Sequence, residues 1–219
     1  MDKMVAYIPI RLNSKRVKGK NIKILGNKPL FLWSLETLLK LDIKVYIYTN
    51  WCDELQKICD EYNVDGDIEF LTRPKYLDDD LTKGIDIYKS FAKDVPSENY
   101  LLTHCTSPFT SVETYKQLMN AVLNDGYDSA FTVCKHQTFS WYKNKPINFD
   151  LPRPRTQDME PVYIETSAGY CYNKSVLDKN ARTGDNYKMI VTEAKESTDI
   201  DEYQDFHYAN IMIQNGGEK

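Results

Sequence analysis

The sequence lacks long apolar runs, paired cysteines and an excess of basic residues, and each absence excludes a class of protein. No stretch approaches the roughly 18–20 consecutive apolar residues that a membrane span needs, and the first residues do not resemble a secretory signal. The five cysteines are scattered without a CxxC pair, which argues against a disulfide framework and a zinc site. The formal charge of −4 argues against nucleic acid as the main partner. We therefore expect a cytoplasmic protein with free thiols that binds neither membrane nor nucleic acid.

The composition is that of an ordinary globular protein. Hydrophobic residues make up 42% of the 219 positions and charged residues 27%, which is enough apolar material for a core of reasonable size. A chain of this length suits one domain with a modest excursion. We therefore treat residues 1–219 as a single domain.

Short β-rich runs alternate with helix-periodic segments along the chain. Strands are predicted at Val5–Ile10, Lys44–Tyr48, Ile68–Leu71, Asn99–His104 and Ser129–Val133, with a weaker candidate at Gly169–Tyr172. Helices are predicted at Pro29–Lys40, at Asp53–Tyr62, behind a capping box at Thr110–Glu113, and from about Asp201 to Gly216-Gly217. This order predicts an α/β fold, a doubly wound, mostly parallel sheet with helices on both faces. Ligands in such folds bind beyond the carboxyl ends of the strands.

One stretch, His136–Pro161, interrupts this alternation. It carries four prolines and an exposed-looking Phe139-Ser-Trp141-Tyr142. A loop longer than about 12–15 residues in a compact domain usually has a function or a partner. The stretch is either a plain surface excursion or an arm that packs against a second subunit, since aromatic residues outside the core favour interfaces.

The loop after the first predicted strand concentrates positive charge in an acidic protein. Residues 11–20 contain five basic side chains, Arg11, Lys15, Arg16, Lys18 and Lys20. The small and amide residues Asn13, Ser14 and Gly19 lie among them, so backbone N–H groups can point into a concavity. Cations and oriented amides at a strand end suit a triphosphate. Neither GxxxxGK[ST] nor GxGxxG is present, and charge alone leaves a solvated basic loop equally open.

Two aspartates, Asp199 and Asp201, immediately precede the last predicted helix. Carboxylates at i and i+2 of an extended segment can converge on one Mg²⁺, which typically takes one or two protein carboxylates and completes its shell with phosphate and water oxygens. The alternative is that Asp201 caps the helix and Asp199 is solvated.

Polar residues also follow the third and fourth predicted strands, at Arg73-Pro74 and at His104-Cys105-Thr106-Ser107-Pro108. His104 is one of only three histidines, and at a strand end it could contact a ligand or carry a proton. A structural role is equally open from its position alone.

Taken together, these segments resemble the cytidylyltransferase family of CMP-sialic acid synthetases. The run Ile8-Pro-Ile-Arg11-Leu-Asn-Ser14-Lys15-Arg16, followed by Lys20-Asn21 and by Gly26-Asn-Lys28-Pro29-Leu30, is similar to the family signature I-P-A-R-x-x-S-K-R-x-x-x-K-N with G-K-P-L. The resemblance implies a nucleotide-diphospho-sugar transferase-like fold. It further implies that Arg11 and Lys20 contact the triphosphate and that Ser14 and Asn21 shape the loop.

Other segments extend the resemblance to the rest of the site. It implies that Arg73 lies near the cytosine, that Thr106-Ser107 belong to the T-S-P turn, and that Asp199 and Asp201 form the D-I-D motif that holds Mg²⁺. The segment Tyr163–Tyr170 is similar to the family's Y-x-E-N-G-A-I-Y, which assigns Glu165 and Thr166 to the sugar pocket. The arm 136–161 stands where family members place a dimerisation excursion, which implies a homodimer.

The sugar half departs from the family pattern more than the nucleotide half does. His104 stands where sialic acid enzymes usually carry Gln, and Thr166-Ser167 replace Asn-Gly. The expected activity is transfer of CMP from CTP to the hydroxyl of an acidic, sialic-acid-like sugar with release of pyrophosphate. The alternatives are a cytidylyltransferase for another acidic sugar or a polyol, a glycosyltransferase-like protein that binds nucleotide-sugars, and a non-catalytic relative.

Overall fold

The computed structural model describes residues 2–216. Its strands are β1 (Asp2–Pro9), β2 (Ile24–Leu25), β3 (Lys28–Pro29), β4 (Val45–Thr49), β5 (Ile68–Thr72), β6 (Ser97–Leu102), β7 (Ser129–His136), β8 (Trp141–Tyr142), β9 (Lys145–Pro146), β10 (Val162–Asn173) and β11 (Tyr187–Thr192). Its α-helices are α1 (Leu30–Leu38), α2 (Cys52–Glu61), α3 (Gly84–Asp94), α4 (Val112–Leu123), α5 (Lys174–Asp178) and α6 (Tyr203–Asn215). No helix within 2–216 is long and apolar enough to cross a membrane.

Seven of the strands form one twisted sheet in the order β11-β7-β10-β6-β1-β4-β5. β1 pairs in parallel with both β4 and β6, and β4 pairs in parallel with β5. β10 runs antiparallel to both of its neighbours, β6 and β7, while β11 is parallel to β7. The prediction of a mostly parallel, doubly wound sheet is therefore confirmed.

The alternating side chains of β1 explain why both faces of the sheet are covered. Ala6 and Ile8 point to the face on which α1, α2 and α4 pack, whereas Val5 and Tyr7 point to the face covered by α3 and α5. A strand that is apolar on both faces must be buried on both, which is the arrangement of a parallel sheet between helices. The central position of β1 follows from this pattern.

Helix α3 was not predicted from the sequence, although it anchors one face of the sheet. It begins at Gly84 and contains 11 residues, with Tyr88 and Phe91 buried on one face. Its main contact is Phe91, whose ring stacks on Tyr7 with centroids 4.1 Å apart. The rings of Tyr46 and Tyr48 meet Phe91 edge-on. The tyrosines of the sheet therefore provide the surface that α3 needs.

The predicted ends of two helices shift by one or two residues. The N-cap of α4 is Ser111, whose hydroxyl accepts a hydrogen bond from the Thr114 N–H, and not Thr110. The N-cap of α6 is Glu202, in a reciprocal capping box with Asp205. Asp201 therefore lies before the helix. The alternative that Asp201 serves as the helix cap is wrong. Gly217 lies outside the described residues.

Helix α6 joins the C-terminal part of the chain to the first loop. Phe206 and Ala209 pack with Leu25, Leu30 and Ile200 in a small separate core. Gly26 has a φ of +64°, and its N–H donates to the Asn210 side chain at 2.8 Å. These contacts hold the segment around Ile200 beside the loop that follows β1.

The stretch 136–161 is ordered around a small aromatic cluster. The β8–β9 hairpin lies within it, and the rings of Phe139 and Trp141 both meet Phe149 edge-on, with centroids 4.9 and 5.2 Å apart. The Arg153 guanidinium lies within 6.0 Å of all three ring centroids. Tyr142 and Leu151 remain 63% and 78% exposed. The arm therefore has its own packing and keeps large apolar groups on its surface.

Candidate active site

A cleft of about 420 Å³ opens at the carboxyl ends of β1, β5 and β6. Five cationic side chains and four carboxylates line it: Arg11, Lys15, Arg16, Lys20, Arg73, Asp79, Asp80, Asp199 and Asp201. The other polar side chains in the lining are Ser14, Asn21, Tyr88, His104, Thr106, Thr82 and Ser167. The position is the one expected for a ligand site in a doubly wound sheet.

The basic loop after β1 folds back on itself. Gly19 adopts a φ of +62°, a conformation that glycine reaches without a steric penalty, and a short 3₁₀ helix follows at Lys20–Ile22. The Asn21 amide donates a hydrogen bond to the Arg11 carbonyl at 2.7 Å and so closes the loop across its neck. The Asn21 Oδ1 atom is buried and has no hydrogen-bond partner among the described residues. Asn21 therefore ties the end of the loop back to its beginning.

Lys20 links the basic loop to the segment before α6. Its side chain is buried, and Nζ donates to the Ile200 carbonyl at 2.5 Å and to the Asp201 carboxylate at 3.1 Å. Arg16 donates to the same Asp201 oxygen at 2.8 Å. Partial burial raises the pKa of Asp201, but the hydrogen bonds and charges of Lys20 and Arg16 outweigh it and lower the pKa overall. Asp201 therefore stays ionised at neutral pH.

Asp199 has a different environment, although it lies only two residues away. Its Oδ1 atom is buried, and no group within residues 2–216 hydrogen-bonds to it. The backbone between the two aspartates is held by the Ile200 N–H, which donates to the Thr106 carbonyl at 2.8 Å. A buried carboxylate oxygen without a partner costs free energy unless a ligand or cation satisfies it.

The two aspartates fit Mg²⁺ if phosphate and water oxygens supply the remaining ligands. Asp199 and Asp201 offer hard oxygen ligands on the same cleft wall, and the unsatisfied Oδ1 of Asp199 is available to a cation. Within residues 2–216, no group of three or more His, Cys, Asp and Glu side chains is arranged to hold a metal. A Mg²⁺ ion here would therefore take its remaining ligands from phosphate and water oxygens, as it commonly does.

His104 is held by two hydrogen bonds. One ring nitrogen, Nδ1, lies 3.1 Å from the Ser167 carbonyl, so it must be the donor, and Nε2 then accepts from the Tyr88 hydroxyl at 3.1 Å. Burial lowers the pKa of His104. The imidazole is therefore neutral at neutral pH, with both nitrogens engaged. Tyr88 belongs to α3 and was missed by the sequence reasoning together with that helix.

Arg73 forms part of the cleft at the carboxyl end of β5. Its side chain is almost completely buried, and Nε donates to the Asp78 carboxylate at 2.9 Å. The Arg73 N–H donates to the Thr49 carbonyl. The guanidinium is thus fixed in place, with its charge balanced by Asp78.

The residues predicted for the sugar side lie partly away from the cleft. Thr166 is buried and donates to the Thr132 hydroxyl at 2.7 Å, while Glu165 accepts from Arg182 at 2.9 Å. Neither is in the described lining, whereas Ser167 is. The pairing of β10 with β7 shifts register between Glu165 and Tyr170, so simple alternation does not continue through this stretch.

The T-S-P turn divides in the same way. Thr106 lines the cleft, but Ser107 is 1% exposed and lies beneath it, with its carbonyl accepting a hydrogen bond from the Thr110 hydroxyl.

Lys18 differs from the other four basic residues of the loop after β1. Its side chain is exposed and does not line the cleft.

The sequence model of the cytidylyltransferase family matches residues 5–206 of this chain. The chain belongs to this family. The match runs from β1 into α6, so it includes both the basic loop and the two aspartates of the cleft.

Several curated relatives are about one quarter identical to this chain over the aligned segments. The N-acylneuraminate cytidylyltransferase of Oncorhynchus mykiss is 25% identical over 90% of this chain and 48% of its own length. The pseudaminic acid cytidylyltransferase of Campylobacter jejuni is 23% identical over 97% of both chains. Several curated relatives are longer, and the chain spans about half the length of the first relatives that it matches.

Solved structures share the fold of this family member. A structure of CMP:2-keto-3-deoxy-manno-octonic acid synthetase complexed with CTP superimposes with a TM-score of 0.72 at 14% identity, covering 98% of this chain and 100% of the other. The 4-diphosphocytidyl-2C-methyl-D-erythritol synthase of Anaerococcus prevotii gives a TM-score of 0.69 at 17% identity, covering 97% and 96%. These likenesses agree with the predicted nucleotide-diphospho-sugar transferase-like architecture.

Proposed function

We propose that this protein transfers CMP from CTP to the hydroxyl of an acidic, sialic-acid-like (nonulosonic) sugar, with release of pyrophosphate. The observation that carries the proposal is the meeting of the basic loop after β1 with Asp199 and Asp201 in one cleft. A cation-rich loop can hold a triphosphate, and the carboxylates can hold the Mg²⁺ that accompanies it. The family match and the activities for which the relatives are named support the choice of donor and of acceptor class.

In this proposal Arg11 and Lys15 bind the phosphates that leave as pyrophosphate. Their side chains are 45% and 75% exposed, so they can reach a ligand in the cleft. Lys20 holds the loop against Asp201 while its charge faces the same space. Group transfer of this kind depends mainly on alignment and on stabilising negative charge. Ser14 and Asn21 would keep the backbone of the loop in position.

The two aspartates and Arg73 take the remaining nucleotide roles. Asp199 and Asp201 would hold Mg²⁺, which supplies Lewis-acid stabilisation of the phosphate charge when bound. Arg73, fixed by Asp78, would contact the cytidine side of the nucleotide. The carboxylates and cations of the lining nearly balance, so a triphosphate entering without a cation would leave an excess of negative charge.

We place the acceptor sugar near His104, Thr106 and Ser167. His104 is neutral and both of its ring nitrogens are engaged, by Tyr88 and by the Ser167 carbonyl, so it would line the acceptor site and hold Tyr88 and Ser167 in place without acting as a general base. Glu165 and Thr166 do not line the cleft. They would affect the acceptor site indirectly, Glu165 through its contact with Arg182 and Thr166 through its contact with Thr132. Because this half departs from the family pattern, another acidic sugar or a polyol is the second candidate acceptor.

The arm at 136–161 supports the further proposal of a homodimer. Its surface carries Trp141, Tyr142 and Leu151, which are more than half exposed in the single chain. Large apolar side chains of this kind are enriched at interfaces between subunits.

A thermal-shift titration with CTP, UTP, ATP and GTP, each with and without Mg²⁺, tests the donor. A nucleotide at about 100 times its Kd should add roughly 2.7 kcal/mol of stability, which is a shift of roughly 5–10 °C for a chain of this size. We expect a shift that is selective for CTP and larger with Mg²⁺. A shift that favours a purine nucleotide would contradict the proposal.

The acceptor is tested next by pyrophosphate release. CTP and Mg²⁺ are incubated with a panel of nonulosonic acids, neutral sugars and polyols. Release with an acidic sugar supports the proposed acceptor class, and release only with a polyol supports the second candidate.

A further inference from the structure

The basic loop after β1 is paired with a carboxylate of the same chain, that of Asp80. Asp80 lies in the segment between β5 and α3, and one of its carboxylate oxygens is 3.7 Å from the Arg11 guanidinium. The other accepts a hydrogen bond from the Lys15 ammonium. Arg11 and Lys15, to which the proposed function assigns the leaving phosphates, therefore share one internal carboxylate.

The segment that carries Asp80 is anchored at its base. Asp78, at the end of a short 3₁₀ helix, accepts hydrogen bonds from the buried Arg73 and from the Asn50 amide. Asp79 stabilises the next turn by accepting from the Leu81 N–H at 2.8 Å. Beyond this base the tip is open, and Leu81 is 90% exposed. Asp80 is therefore presented to the basic loop from a fixed point, on a tip with few other contacts.

The contacts of Asp80 are of the kind that a ligand can displace. Its side chain is 48% exposed, and Arg11 and Lys15 are 45% and 75% exposed. Exposed ion pairs contribute little free energy because water screens them. The Lys20–Asp201 pair differs, since the Lys20 side chain is only 9% exposed. Asp201 thus holds the basic loop firmly through the buried Lys20, whereas Asp80 holds it weakly through two exposed side chains.

We propose that Asp80 is a built-in counter-anion that holds Arg11 and Lys15 in position between turnovers. The inference rests on the proposed function, because it takes these two cations to bind the leaving phosphates. The incoming triphosphate displaces the carboxylate, and the carboxylate competes with pyrophosphate for the same cations after transfer. Asp80 acts as a positioning residue that lowers the affinity for polyphosphate anions and so favours product release.

The test compares nucleotide and pyrophosphate binding by the full chain and its variants. Asp80→Asn and Asp80→Ala remove the competing charge, Asp80→Glu retains it, and Asp185→Asn removes an equal charge from a distant surface pair with Lys179. Isothermal titration gives Kd for CTP, CMP and inorganic pyrophosphate, with Mg²⁺ present. Product-inhibition kinetics with pyrophosphate give a second readout that a purely structural role would not change.

We expect Asp80→Asn and Asp80→Ala to bind CTP and pyrophosphate about 2- to 10-fold more tightly, the range given by one or two exposed ion pairs. CMP, which lacks the leaving phosphates, should change less, and the inhibition constant of pyrophosphate should fall with its Kd. Asp80→Glu and Asp185→Asn should stay close to the wild type.

Two results would overturn the inference, and they are distinguishable. If the wild type binds CTP but the two neutral variants bind CTP and pyrophosphate equally or less tightly, Asp80 is not a competing anion and the proposed function stands. If the wild type binds neither ligand, the proposed function fails and the inference fails with it.

Discussion

Asp199 and Asp201 differ in how many partners each carboxylate already has. Asp201 accepts hydrogen bonds from Lys20 and Arg16, while Asp199 keeps a buried oxygen without a partner. Asp201 therefore contributes to the fold as well as to the proposed metal site, and Asp199 contributes mainly to the latter. Substitutions at the two positions should separate these contributions.

We expect Asp199→Asn to lower kcat by about 10²–10³ without lowering the melting temperature, because it removes a metal ligand whose buried Oδ1 atom accepts no hydrogen bond from the described part of the chain. Asp201→Asn should lower kcat and also the free energy of unfolding, by about 1–2 kcal/mol, since Lys20 loses its charged partner. Pyrophosphate-release kinetics at several Mg²⁺ concentrations and thermal melts check both. Equal melting-temperature losses in the two variants would contradict this division.

The neutral state of His104 predicts how stability depends on pH. Burial lowers the pKa of His104 below the ordinary value of 6.5 that it regains on unfolding. Between these two values the unfolded chain binds more protons than the folded one, so the free energy of unfolding falls as pH is lowered below 6.5. His104 stops contributing to this decrease in the free energy of unfolding once it is protonated in the folded protein as well.

Accordingly, His104→Gln should flatten the stability profile below pH 6.5, by up to about 1.4 kcal/mol per pH unit. Urea unfolding between pH 5 and pH 8 measures the profile. His207→Gln, on the exposed surface of α6, provides the matched control. The assignment of the slope to His104 fails if His104→Gln keeps the wild-type profile.

At the scale of elements, α3 links the aromatic face of the sheet to the cleft. Phe91 packs among the tyrosines of β1, β4 and β6, and three residues earlier Tyr88 lines the cleft and holds His104. Tyr88 and Phe91 lie on the same buried face of α3, so the packing of that face against the sheet also positions the Tyr88 hydroxyl beside His104. The stability of α3 and the geometry of the site are therefore connected through one element.

Phe91→Ala should lower the free energy of unfolding by about 3–5 kcal/mol, the range found for buried Phe→Ala substitutions. The reason is the cavity left among rings that cannot all move inward. Phe139→Ala, at a half-buried ring of the arm, is the matched control and should cost less than half as much. Guanidinium unfolding of both variants checks the difference, and equal costs would show that α3 does not depend on Phe91.

At the scale of the whole molecule, the arm is the largest departure from the doubly wound sheet. It leaves the sheet at the end of β7 and returns at β10, two strands that are themselves paired at His136 and Val162. Trp141, Tyr142 and Leu151 stay exposed although the arm has an aromatic cluster of its own. A second copy of the chain would cover such side chains, as the proposed homodimer requires.

We expect the wild type to sediment as a dimer and the double variant Trp141→Asp, Tyr142→Asp to sediment as a monomer, because charges would replace apolar contacts at the interface. Sedimentation velocity over a range of protein concentrations measures this. Tyr208→Asp, on an exposed position of α6, is the control. A wild type that is monomeric at every concentration would rule out the proposed dimer.

The sequence by itself determined the strand–helix order, the basic loop after β1 and the two aspartates before α6. These features are local, because strand periodicity, turn residues and charge runs depend on neighbours along the chain. It did not reveal α3 or β11. β11 is an edge strand in which only Ile190 and Thr192 are buried, so it becomes interpretable only beside its partner β7. The buried face of α3 becomes interpretable only against the aromatic residues of the sheet.

Only the tertiary structure decided which charges meet. Lys20 and Asp201 are 181 residues apart, and Asp80 pairs with Lys15 across 65 residues. No spacing in the sequence encodes such contacts, because they depend on strand order and on the packing of α6. The same holds for the sugar side, where the register shift in β10 turns Ser167 into the cleft and leaves Thr166 buried against Thr132.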